Sequence, residues 1–350
     1  MKALVTGGGG FIGSRIARML RARGDDVTVL GRRDYPALAR EGIRTIQADI
    51  RAAADVLDAC RNMDTVFHTA ALADIWGPRQ LYWAINVEGT RNVIAACRAA
   101  GVRKLVFTSS PSVVFGEASF EGVDESQPYP RRYLAAYPET KAAAERLVLA
   151  ANGPALATMA LRPHLVWGPG DPHLIPALLA LARSGRLVQV GDGRNRVDIT
   201  YVDNAAGAHV LAADALAPGA PCAGRAYFVS QGEPVVLWEW LGQILAAASV
   251  PPVGRVVSYR TARRVGVWLE MLHWVTRRRE RPWMTRFLAT QLSHTYYFNI
   301  NAARRDFGYT PQVSTQEGFA RLAAWLRGEG VPEPAGRPPL PTGCPARASH

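Results

Sequence analysis

Thr6-Gly7-Gly8-Gly9-Gly10-Phe11-Ile12-Gly13 stands where a short apolar run, residues 2–6, gives way to an amphipathic one, residues 11–23. In the second run Ile12, Ile16 and Leu20 recur every four positions while Arg18 and Arg21 fall elsewhere, the period of a helix with one apolar face. The glycines at 7, 10 and 13 therefore occupy a strand–turn–helix junction. Gly7 allows the tight turn, Gly10 lets backbone approach a pyrophosphate, and Gly13 allows close helix–strand packing. The helix start adds unpaired N–H groups and the positive end of its dipole, both suited to phosphate. Outward from this loop, short β-branched runs at 27–30, 45–47, 65–68 and 104–108 alternate with helical stretches at 52–61, 81–100 and 136–151, and a further strand is expected at 155–161. Alternation on this scale needs crossover connections. The expected fold class is α/β, a doubly wound parallel sheet with helices on both faces.

The arrangement is of the Rossmann type, and the end of its second strand selects the cofactor. An NAD site normally places Asp or Glu there to bond the ribose 2′-hydroxyl. Here the position is Gly31, followed by Arg32 and Arg33. The carboxylate that would repel a 2′-phosphate is missing, and two guanidiniums stand where one could bind it bidentately. NADP(H) is thus expected over NAD(H), although the pair are also two more arginines in an arginine-rich chain. Asp49 and Ile50, after the third strand, are expected near the adenine.

Tyr137-Pro138-Glu139-Thr140-Lys141 puts a phenol and an ammonium one helical turn apart on one face. A phenol with its ordinary pKa near 10 needs a neighbouring cation to exchange protons near neutrality, and Lys141 would supply one. It is one of only three lysines, with Lys2 and Lys104. A hydroxyl to hold a substrate carbonyl is available at the end of the strand at 104–108, in Thr108-Ser109-Ser110-Pro111-Ser112.

With these residues in place, the chain resembles the extended short-chain dehydrogenase/reductases over roughly residues 1–327. It carries TGxxGxxG at 6–13, the Ser–Tyr–Lys set, and Asn86-Val87-Glu88-Gly89-Thr90 in the fourth helix. Val66-Phe67-His68-Thr69-Ala70-Ala71, residues 108–116 and DITYVDNAAGAHVLAA at 198–213 are similar to the 3β-hydroxysteroid and sterol-4-carboxylate 3-dehydrogenase branch. PSVVFG, YPETKAAAE, LRPHLVWGPGDPHLIP and AYFVSQGEPVVLWEW resemble the 2-alkyl-3-oxoalkanoate reductases of bacterial long-chain olefin biosynthesis. The resemblance implies Tyr137 as proton donor, Lys141 as the group lowering its pKa, and Ser110 as the carbonyl-polarising hydroxyl, with Ser109 and Ser112 as alternatives. It also implies cofactor contacts at Gly7, Gly10, Phe11, Ile12, Gly13, Arg32, Arg33, Asp49, Ile50, Ala70, Tyr137, Lys141 and Pro163. The activity implied is reversible reduction of a 3-oxo group on a hydrophobic substrate, foremost a 2-alkyl-3-oxoalkanoic acid with long chains. A sterol 3-dehydrogenase is the alternative within the class, and a dinucleotide-binding sensor or scaffold the alternative outside it. The intact Ser–Tyr–Lys set argues against the sensor, and the apolar second lobe against a sugar-nucleotide epimerase.

Domain organisation is expected as a dinucleotide-binding domain at 1–162, to which some later segments return, and a smaller substrate lobe at 163–328. Residues 329–350, with six prolines in the last twenty positions, are expected to be a disordered tail. Trp167, Leu174, Trp238, Trp240, Trp268, Leu272, Trp274 and Trp283 offer material for an apolar trough or for ordinary core. Trp167 and Arg196 are the substrate candidates. Arg196 would meet a carboxylate, and its bland alternative is an ion pair with Asp198. His68 and His164 are expected to pack near the cofactor.

The 350 residues carry a net charge of +12, with all but three of the 41 basic residues arginine. Seven of those charges fall in 255–286, where an apolar, tryptophan-containing stretch at 265–275 lies between arginine clusters. Concentration in one segment argues against a nucleic-acid partner and for a peripheral membrane or protein contact, or a lid. Cys60, Cys97, Cys222 and Cys344 are far apart in sequence with no Cys-x-x-Cys, and no His pair has ligand spacing, so neither disulfides nor a metal are expected. No apolar run is long enough to span a bilayer and no leader is expected. A cytoplasmic homodimer, with the option of peripheral membrane attachment, is the expected state.

Overall fold

The computed structural model describes residues 1–116, 118–277 and 280–329. All but the first residue of the expected tail therefore lies outside the described residues. The centre is a seven-stranded sheet built from β1 (Lys2–Thr6), β2 (Asp26–Gly31), β3 (Arg44–Gln47), β4 (Thr65–His68), β5 (Lys104–Thr108), β6 (Ala157–Pro163) and β7 (Arg225–Val229). Its spatial order is β7-β6-β5-β4-β1-β2-β3, and every neighbouring pair is parallel. Order reverses between β1 and β4, which opens a crevice at the carboxyl ends of those strands, where this class of sheet receives its ligands. The Gly7–Gly13 loop stands there.

Helices cover both faces because each presents an apolar stripe to the sheet. The helix α1 (Phe11–Ala22) buries Gly13, Ile16, Ala17 and Leu20. Its solvent face is tied down by Arg18, whose Nε donates to Glu41 at 2.8 Å. A pair so exposed contributes at most about 1 kcal/mol, so the buried stripe decides the packing. The other framework helices are α2 (Gly89–Ala99), α3 (Ala136–Ala150) and α4 (Val202–Ala215). Cys60 and Cys97, distant in sequence, meet between Ala53–Cys60 and α2 as buried free thiols.

The single helix expected over 81–100 is broken. A short helix, Arg79–Tyr82, runs into a π-helical turn, Trp83–Glu88, before α2 begins. The wider turn carries the Asn86 side chain to the backbone of residue 72, a bond that regular helix would misalign. After β6 the sequence loses its regular alternation, and here the lobes interleave. The strand β7 joins the seven-stranded sheet and α4 packs on α1, while Phe120–Val123 pairs with Tyr296–Phe298 in a four-stranded sheet of the second lobe. That lobe has its own apolar core around Trp167, Tyr201, Trp240 and Ile244. It also carries α5 (Tyr259–Val275) and α6 (Arg286–Ser293).

Candidate active site

The glycine loop is shaped by contacts that leave no room for side chains. Gly7 has φ +70°, and a Cβ there would come within 2.7 Å of Ala70 backbone. At Gly13 it would meet the Gly7 carbonyl oxygen at 2.5 Å. Gly10 caps α1 with extended backbone and no side-chain cap, so the first N–H groups of the helix are left for a ligand. A glycine cradle with an uncapped helix start fits a dinucleotide pyrophosphate. Phe11 and Ile12 open the helix above it.

Arg32 and Arg33 follow β2, Arg32 exposed and Arg33 half-buried. Tyr35 lies across the junction, its ring over Gly9 and its hydroxyl against Gly31, both of which need glycine to admit it. Asp49 is held by Arg51, which donates to it from backbone N at 2.9 Å and from its guanidinium at 2.8 Å. Buried Ile50 packs on Gly89. Pro163 ends β6 beside Val229.

At the end of β5, the Ser110 hydroxyl accepts from Ser112 N at 3.2 Å and shares a 2.9 Å bond with the Ser112 hydroxyl. It also acts on the Tyr137 phenol. Burial pushes that phenol above its ordinary pKa of 10, and the nearby Ser110 hydroxyl pulls it back. Of the three serines considered, Ser109 and Ser112 are buried, and it is the Ser110 hydroxyl that lowers the proton affinity of the tyrosine. One turn along α3, Lys141 donates to the Thr108 carbonyl at 2.5 Å and lies 4.0 Å from the centre of the Phe107 ring. Burial drives its ammonium down to about 7, against the attraction of Glu145.

Two supports were not legible as site residues. Glu145, a further turn along the same face, is completely buried and pairs with Arg162 at 2.7 Å, and accepts from the Tyr129 hydroxyl at 2.6 Å. The signal available was the four-residue spacing of Tyr137, Lys141 and Glu145. Asn86 is the second: it accepts from Leu72 N at 2.7 Å and donates to the Thr140 hydroxyl at 3.1 Å, tying the loop after β4 to α3. We expect Asn86→Ala to lower stability by about 1–3 kcal/mol through the orphaned partners, read from urea midpoints. Its KM should rise as well, because residues 75–77 of that loop border the cavity described next. Unchanged stability and KM would remove the positioning role.

A cavity of about 150 Å³ is lined by Ile75, Trp76, Gly77, Tyr82, Leu134, Ala135, Ala136, Glu270, Thr285, Arg286 and Phe287. Ala136 immediately precedes Tyr137. Arg286 is the cation on its wall, donating from backbone N and Nε to the Glu270 carboxylate, each at 2.7 Å.

The two substrate candidates stand elsewhere. Trp167 is wholly buried, its ring 5.3 Å from Tyr201 and 5.7 Å from Trp240, so it is lobe core and not trough wall. Arg196 is exposed, donates to the Pro234 carbonyl at 3.2 Å, and lies over Tyr297, away from the cavity lining. The ion pair with Asp198 is not made either. Asp198 is buried, accepts from Phe298 N at 2.7 Å, and is pushed up to about 7 by burial. Of the other aromatics, Trp238 and Trp240 are core, while Trp268 and Trp274 face outward. His68 is buried between the Thr6 and Thr90 hydroxyls, at 2.7 and 3.0 Å.

Comparison with known proteins agrees with this architecture. The family model for the 3-beta hydroxysteroid dehydrogenase/isomerase family matches residues 4–255, and the chain belongs to that family. The chain is 51% identical to a 2-alkyl-3-oxoalkanoate reductase of Stenotrophomonas maltophilia over 326 residues, 93% of this chain and 99% of that one. It is 46% identical to a 2-alkyl-3-oxoalkanoate reductase of Shewanella oneidensis, covering 93% of this chain and 86% of the relative. Among solved structures, MoeE5 in complex with UDP-glucose and NAD is similar with a TM-score of 0.71 at 29% identity, covering 94% of this chain and 99% of that one.

Proposed function

We propose that the protein is an NADP(H)-dependent oxidoreductase that reduces the 3-oxo group of a 2-alkyl-3-oxoalkanoic acid with long alkyl chains. The observation that carries this is the Tyr137 phenol, acted on by the Ser110 hydroxyl and following Ala136, which lines a mostly apolar cavity. The names of the two reductase relatives support the substrate class. A nicotinamide dinucleotide bound along the glycine loop supplies hydride. The chain does the rest. Ser110 holds and polarises the carbonyl oxygen, and Tyr137 gives that oxygen its phenolic proton as the alkoxide forms. Lys141, charged below about pH 7, stabilises the phenolate left behind. Arg286 on the cavity wall, whose terminal nitrogens take no part in the bond to Glu270, is the cation placed for a substrate carboxylate.

The family itself favours one alternative, a 3-hydroxysteroid or sterol 3-dehydrogenase. Following NADPH oxidation with a 2-alkyl-3-oxo acid, a 3-ketosteroid and a UDP-sugar side by side separates the options, and fastest turnover of the steroid or sugar overturns the acid assignment.

Cofactor choice rests on Arg32 and Arg33. Changing both to Gln should cut kcat/KM for NADPH roughly tenfold or more relative to NADH, since each charge-assisted bond to a 2′-phosphate is worth about 1.5–3 kcal/mol. Equal use of both cofactors by the parent enzyme would sink the assignment.

A further inference from the structure

Large apolar side chains are exposed at eight places among the described residues, and five of them fall in the last eight residues of α5: Trp268, Met271, Leu272, Trp274 and Val275. The two tryptophans are 72% and 80% exposed. The inner face of α5 explains why this outer face faces water. Ala262 and Gly266 are buried, and a Cβ on Gly266 would come within 2.7 Å of the Thr285–Arg286 backbone. Glu270, one turn on, is bonded to Arg286. A stripe at 262, 266 and 270 therefore seats the helix on the start of α6 and fixes its rotation. The Ser258 hydroxyl caps its first turn, accepting from Thr261 N at 3.1 Å.

The apolar patch is framed by cations. Arg255, Arg260 and Arg264 are exposed before it and Arg277 after it, and the segment 255–286 carries seven of the chain's twelve net positive charges. We propose that α5 lies in the interface of an anionic phospholipid membrane, its tryptophans among the acyl-chain ends and its arginines on the headgroups. Two exposed turns of apolar surface gain by leaving water, and tryptophan and arginine are the side chains that settle at the apolar–polar boundary. The helix has 17 residues and no helix among the described residues can cross a membrane, so it lies in the plane of the surface. Charge selects this occupant over a second copy. A two-fold pairing through the patch would bring one arginine frame against another of the same sign.

This placement also concerns the cavity, on the function proposed above. Its volume of about 150 Å³ is below the ~300–1,000 Å³ of pockets that enclose drug-sized ligands. Two long alkyl chains must extend past its walls. The wall contributed by α5 is Glu270, and Trp76, also on the lining, packs edge-on against His273 of the same helix. Chains leaving on that side run from the cavity into the lipid that α5 touches.

The test needs no substrate, so it stands apart from the assay of the reaction. The full chain is sedimented with sucrose-loaded vesicles of phosphatidylglycerol or of phosphatidylcholine, beside Arg260→Gln/Arg264→Gln and Trp268→Ser/Trp274→Ser variants. Circular dichroism confirms that each variant is folded. The parent should partition onto phosphatidylglycerol, weakly onto phosphatidylcholine, and less as salt rises. The arginine pair should lower partitioning by roughly 25-fold, about fivefold per charge, and the tryptophan pair by about tenfold or more. No sedimentation with phosphatidylglycerol overturns the proposal, as does binding that neither variant weakens. So does a dimer that the tryptophan variant alone converts to monomer, which would make the patch an interface between copies.

Discussion

Tyr137→Phe should lower kcat by about 10²–10⁴ while leaving NADPH affinity nearly unchanged. The substitution removes one oxygen. In the structure the group acting on that oxygen is the Ser110 hydroxyl, itself held by Ser112 at the end of β5 and not on the glycine cradle. Its loss therefore strikes proton transfer and not phosphate binding. Ser110→Ala should act on the same step with a smaller effect, since it removes the group that orients the carbonyl but leaves the proton donor. Stopped-flow turnover and NADPH fluorescence titration together check the split. Turnover retained in the phenylalanine variant would refute the proton-donor role. Loss of turnover matched by loss of NADPH binding would show that the phenol serves the cofactor site.

How far such a site is written in the sequence depends on how locally its geometry is determined. The cradle at 7–13 is legible because a positive φ and close backbone approach are demands that glycine alone meets cheaply, and they arise within a few residues. The Tyr137–Lys141 pair is legible for the same reason: one helical turn fixes it. Asn86 with Thr140, Glu145 with Arg162, and Thr108 with His209 are partners across 54, 17 and 101 positions. They meet only once the sheet order is known, and no spacing rule announces them. Trp167 shows the converse error. Its composition signals an apolar surround, but whether an indole walls a trough or fills a core depends on tertiary packing. The basic segment was visible as charge. Which side of α5 carried the exposed tryptophans was decided by Gly266 and its close seat on residues 285–286.

Acid should unfold the protein steeply, because three histidines are buried as neutral rings. His68 and His164 are pushed down to about 3 and His209 to about 4, burial being the first cause in each. His209 shows why. Its Nδ1 lies 2.7 Å from the Ala205 carbonyl, which can only accept, so in the neutral ring Nε2 accepts from the Thr108 hydroxyl at 2.8 Å, and a second proton would turn that hydroxyl and bury a charge. Once unfolded, each ring protonates near 6.5. Below that pH the unfolded chain binds up to three more protons than the native one, and each contributes about 1.4 kcal/mol of lost stability per pH unit. The loss continues until pH falls through the folded values. Asp198 works in the opposite sense. Burial holds its carboxyl at about 7, so the native state keeps a proton that the unfolded chain has released, and acid restores stability there. Glu125 and Asp171, also pushed up by burial, act in the same sense as Asp198, so the net difference is at most about two protons, or up to roughly 2.7 kcal/mol per pH unit between pH 6 and 5. Against a typical total of about 5–15 kcal/mol, two such units remove much of the fold. Urea midpoints at pH 7, 6 and 5 should show the slope, and His209→Gln should flatten it by one proton while costing stability at pH 7. A parent slope near zero over that range would mean that the rings are charged in the fold. The same three measurements on Asp198→Asn should steepen the loss, because the variant lacks a group that gains from acid.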